Sequence, residues 1–129
     1  MNYYNSKKIQ NISFDKAIEK VTEALKLEGF GILTEIDVKE TLKKKLDVNF
    51  RPYKILGACN PPFAHKALLA EKNIGAMLPC NVIVQKTENG MIEIAAVDPV
   101  ASMSAVNNPD LAVIAGEIKT KLERVISSL

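Results

Sequence analysis

The chain has 129 residues, 47% of them hydrophobic, and a formal net charge of +2. That is enough apolar material for one domain with its own core, so residues 1–129 are expected to form a single domain. The positive charge is too small, and too evenly mixed with acids, for a nucleic-acid surface, and a chain without Trp and with 5% aromatics has little to stack bases on.

No apolar run approaches the roughly 20 residues that span a bilayer. The opening segment MNYYNSKKIQNISF lacks the apolar stretch and small-residue cleavage site of a secretory signal. The expectation is a soluble cytoplasmic protein with no nucleic-acid or membrane partner. Its two cysteines are then expected to be free thiols.

Residues 3–9 read as a weakly alternating first strand. Ser13 has the character of an N-cap, with Asp15 in the first turn. Phe14, Ala17, Ile18, Val21 and Leu25 follow at helical spacing, and Gly29 suits the residue just past the helix end. The spacing predicts a helix over 14–28. Residues 30–36 read as a strand entered through Gly31. Asp37 and Glu40 form a capping box for a second helix. Val38, Leu42 and Leu46 give that helix one narrow apolar face, and its end carries Lys43, Lys44 and Lys45, where cations suit the helix dipole.

Tyr53 to Ala58 is an apolar run broken only by Lys54, as in a strand buried on both faces. Asn60-Pro61 then reads as N-cap and first residue of a third helix, ending near Asn73. Residues 74–78 form an apolar connection that Pro79 breaks. Residues 81–86 and 91–97 read as two strands joined through Glu88-Asn89-Gly90, a strong hairpin signal. Residues 100–105 suit a short helical turn. Asn108, Pro109 and Asp110 open a last helix with a long apolar stripe, from Leu111 through Ile114, Ala115, Ile118, Leu122 and Val125 to Leu129. Helix crossovers favour parallel pairs early and the Asn-Gly turn an antiparallel pair late. The predicted class is α+β: a mixed sheet with a C-terminal antiparallel hairpin and helices packed against it.

Candidate chemistry gathers between Tyr53 and Gln85. Cys59 stands between a buried strand and a helix N-terminus, where a thiol pKa can be depressed; equally, cysteine is a small residue that ends core strands well. Cys80 opens the next strand, so the two thiols meet if their strands are neighbours, as a redox pair or a soft-metal site with His65 as third ligand. Against that, the spacing C-x5-H-x14-C is not a familiar ligand set, and His65 suits a half-exposed helix surface. Asn60 is a natural helix cap and Asn81 a satisfier of backbone groups at a strand start. The N-terminus led by Asn60 is also a ready anion site, with Lys66 to assist. Ligand-binding candidates are therefore Cys59, Asn60, Lys66, Cys80 and Asn81. No glycine-rich phosphate loop or hydrolase motif is present, and no cofactor is predicted.

Three motifs together carry a family likeness: Glu35-Ile36-Asp37, Gly57-Ala58-Cys59-Asn60-Pro61 and Leu78-Pro79-Cys80-Asn81-Val82. Over about Gly29 to Asp98 the chain resembles the bacterial and archaeal domain-of-unknown-function family 302. The resemblance implies a single α+β domain with a mixed sheet that forms dimers, and it implies no reaction. It lays weight on Gly57, Asn60, Pro61, Leu78 and Pro79 as architecture, since the family varies at the cysteine positions. The expected function is then a dimeric, non-catalytic binding or accessory domain. Its small anion or metabolite would sit between the Asn60 helix and the Cys80 strand, and its self-association surface would come from the C-terminal stripe and the second helix. Thiol redox or soft-metal binding through Cys59 and Cys80 is the alternative.

Overall fold

In a computed structural model that describes residues 2–129, the strands are β1 (Tyr4–Ile9), β2 (Gly31–Asp37), β3 (Tyr53–Cys59), β4 (Cys80–Lys86) and β5 (Ile92–Val97). They form one five-stranded sheet in the order β1-β5-β4-β3-β2. All four pairings are antiparallel, so the sheet is α+β as expected but not mixed. The reason lies in the connections. Helix α1 (Phe14–Leu27) crosses the sheet and makes β1 and β2 run the same way, but three strands separate them. Helix α2 (Val38–Leu46) has no buried residue; it does not span the sheet, and β3 returns directly beside β2. Helix α3 (Pro61–Ala70) packs on the last helix at the sheet's end, and β4 returns beside β3.

Local signals explain most boundaries. Ser13 Oγ accepts from Lys16 N at 3.1 Å, and Asp37 Oδ1 from Glu40 N at 2.9 Å. Only half of the expected capping box forms, because Glu40 turns to Lys44 at 2.8 Å. Gly29 closes α1 with φ +87°, and Asp47 closes α2 with φ +53°. Helix α3 stops at Ala70, short of Asn73, and a 3-10 turn over Ile74–Met77 leads to the cis Leu78-Pro79 bond. Between β4 and β5, Thr87 N donates to Met91 O at 2.8 Å and Gly90 N to Thr87 O at 3.0 Å. Gly90 alone takes a positive φ there, which makes this a three-residue loop closed by a left-handed glycine. A short α4 (Pro99–Ser102) is capped by Asp98, and α5 (Pro109–Ser127) by Asn108.

Helices α1 and α5 share one face of the sheet. Ala17, Val21 and Leu25 of α1 and Ile118, Leu122 and Val125 of α5 close over Leu56, Val82, Val84, Ile92 and Ile94. A second, smaller cluster unites α3, the 3-10 turn, α4 and the start of α5 through Ala67, Ile74, Met103, Leu111 and Ala115. The C-terminal stripe is therefore spent inside the protomer, and it is not the self-association surface expected from its length. The opposite face of β3, β4 and β5 carries a shallow concavity lined only by strand residues and Tyr3, among them Tyr53, Ile83, Ala95 and Val97.

Candidate functional site

Where β3 ends and β4 begins, α3, α4 and α5 close around an apolar cavity of about 300 Å³. It lies along the seam between the two core clusters: Phe30, Ala58 and Ile118 come from the larger, Ala67, Met103 and Ala115 from the smaller. Small side chains at Ala58, Ala64, Ala67 and Ala115 leave the space that bulkier residues would fill. The volume is at the lower end for a small-molecule site.

Cys59, Asn60 and Cys80 all line this cavity. Pairing brings the thiols to neighbouring strands one residue out of register, since Ala58 is the partner of Cys80. Both are free and half-buried. Burial, helped by the nearby Cys59, pushes the Cys80 thiol up to about 11, so it stays protonated at neutral pH and is a poor nucleophile. Among the described residues no three His, Cys, Asp or Glu side chains come together to hold a metal ion. Exposed His65 does not join the thiols, and the ligand set Cys59, Cys80 and His65 is not assembled.

Asn60 is buried, but it does not cap α3 with its side chain. Its Nδ2 donates instead to Glu28 O at 3.1 Å, tying the end of α1 to the start of α3. Gly29 makes room: a Cβ there would lie 3.1 Å from Asn60 Nδ2. The anion reading of this helix start meets a second obstacle. Pro61 and Pro62 occupy its first positions and have no N–H to offer. Ala64 N is already bonded to Asn60 O at 2.9 Å, so Phe63 supplies the one unbonded backbone donor of the first turn. The two prolines in the sequence already carried that signal.

Lys66 lies outside the cavity, with Nζ 5.2 Å from the centroid of the Phe63 ring that lines it. Lys121 of α5 approaches the same ring at 5.7 Å, a contact the sequence reading missed because 58 residues separate the two in the chain. Arg124 binds Glu28 Oε1 at 2.8 Å, and that hydrogen bond holds the Glu28 carboxyl below its ordinary pKa. Asn81 stands apart. It is exposed, lines the concavity on the opposite sheet face and makes no side-chain hydrogen bond among the described residues, so its expected backbone-satisfying role is not seen. Gly57 explains part of the family likeness: Thr34 and Pro79 occupy the space its side chain would need.

A helix-backed antiparallel sheet with an apolar cavity at one end defines a single-domain α+β protein. The family described as "Domain of unknown function DUF302" matches residues 5–129, and the chain belongs to that family. It is similar to a crystal structure of an uncharacterized conserved DUF302 protein from Bacillus stearothermophilus, with 31% identity, a TM-score of 0.90 and 98% of each chain covered. No curated protein matches the chain. Among the described residues no helix is long and apolar enough to cross a membrane.

Proposed function

We propose that this DUF302 domain is a dimeric, non-catalytic binding or accessory domain that takes a small metabolite into the cavity between α3, α5 and the β3–β4 boundary. The observation that carries this reading is the cavity itself, open between two packed clusters and walled by Phe30, Phe63, Met103 and Ile118. Such concave, mostly apolar spaces with a few polar groups are where small molecules bind. Raised burial of Cys80 favours a structural thiol over a redox one. Two unbridged cysteines suit a reducing compartment such as the cytoplasm.

Self-association is supported by the sheet face opposite α1 and α5, where Tyr53, Ile83 and Val97 are partly exposed among Asn81, Gln85 and Glu93. Apolar side chains set among polar ones on an open sheet face are a common place for a partner. A second copy of the chain would meet it with the same patch. The test is a native mass measurement on protein purified from its own host. The expected result is twice the protomer mass plus one small organic molecule per protomer. A protomer without any bound molecule, combined with no uptake of apolar probes, removes the reading.

A further inference from the structure

Resting on the reading of the cavity as a ligand site, we infer the chemistry of that ligand: an acidic amphiphile, with its apolar body in the cavity and a single carboxylate head held outside by Lys66 and Lys121. The inner wall cannot hold a charge. Its polar side chains are Cys59, Asn60 and Cys80. One of the two Asn60 Nδ2 hydrogens is given to Glu28 O, Cys80 stays protonated, and none of the three carries a positive charge. An ion buried there would lose its hydration without replacement. The positive charge that balances a head group therefore has to come from the rim.

Phe63 marks that rim. It is half-buried, lines the cavity, and has the ammonium groups of Lys66 and Lys121 5.2 Å and 5.7 Å from its centroid. Two like charges gathered at one ring repel unless an anion lies between them. The nearby carboxylate does not serve. Glu28 is engaged by Arg124 at 2.8 Å and reaches Lys121 only at 3.9 Å. Among the described residues Lys66 has no carboxylate within bridging distance. Lys121 thus has only a share of Glu28 and Lys66 has no acid at all beside an apolar hole, and the complement is an anion carrying an apolar chain.

Octanoate and octan-1-ol share the chain and differ in the head, so the pair tests the assignment. Each is titrated into the full, isotope-labelled chain while the amide signals of Ala67 and Met103 report cavity entry. Both probes should move those signals, with octanoate binding at least about fivefold more tightly at low salt, the size expected of partly exposed ion pairs. The double variant Lys66→Gln/Lys121→Gln should bring octanoate to the affinity of the alcohol and leave the alcohol unchanged. Equal affinities in the wild type, or a preference that survives the double variant, overturns the head assignment while the cavity reading stands. If neither probe moves Ala67 or Met103 in the wild type, or if Ala67→Leu, which fills the cavity, leaves octanoate affinity unchanged, the cavity reading falls and the head assignment with it.

Discussion

A methyl group on Gly57 would sit 2.1 Å from Thr34 Oγ1 and 2.8 Å from Pro79 Cγ. Thr34 lies in β2 and Pro79 at the entry to β4, so a Gly57→Ala chain has to turn the Thr34 hydroxyl away and displace the Pro79 ring. Chemical denaturation should show a loss of about 1–3 kcal/mol, the usual cost of overpacking; an unchanged midpoint would mean both side chains yield freely. Cys80 offers a second test at this scale. Its folded pKa, about 11, lies above the ordinary value of 9.0, so the folded state holds the thiol proton more tightly than the unfolded one. The stability this contributes is fully present below about pH 9 and is lost as pH rises through about 11, on the order of 2–3 kcal/mol at most. Denaturation of wild type and Cys80→Ala at pH 8 and pH 10.5 should show a steeper loss in the wild type. The place of Cys59, Asn60 and Cys80 at strand boundaries was legible in the sequence, while the pairing of β3 with β4 that puts them on one cavity was left open there. The character of their cavity was not legible, since its apolar walls come from Ile118 and Ala115, and only the tertiary placement of α5 brings those beside β3.

At the scale of elements, Asn108 does more than its position suggests. Its Oδ1 accepts from Asp110 N at 3.1 Å and Leu111 N at 3.3 Å, while its Nδ2 donates to Ala70 O at 2.8 Å and Glu71 Oε1 at 3.1 Å. The cap of α5 is thus also the clasp on the end of α3. Asn108→Ala should cost about 1–2 kcal/mol, cap and clasp together, measured by thermal or urea unfolding; Asn108→Ser, which keeps a cap acceptor but not the amide donor, should recover part of it. Helix positions were readable from capping residues and apolar spacing at Ser13, Asp37 and Asn108. Strand direction was not, because β-α-β order implies a parallel neighbour only when the helix spans the sheet. The exposed faces of α2, with Leu46 65% exposed, show that it does not.

For the whole molecule, the sheet has a helical side and an open side. Placing a charge on the open side at Ile83 tests the dimer without touching the cavity, since Ile83 pairs with Ala95 and Ile55 on the face away from α1 and α5. Light scattering on a sizing column should give a dimer for the wild type and a monomer for Ile83→Lys, both folded by circular dichroism; a monomeric wild type would remove the dimer.

Helix α5 runs through both core clusters, with Leu111 and Ala115 in one and Leu122, Val125 and Ile126 in the other. One rod therefore bridges two packed bodies with a void between them, and its two halves need not open together. Amide hydrogen exchange should divide the helix: protons near Leu122 and Val125 should leave only in global unfolding, those near Ile114 and Ala115 in a smaller, earlier opening. A molecule filling the seam would join the two bodies, so its binding should slow exchange most at the second group.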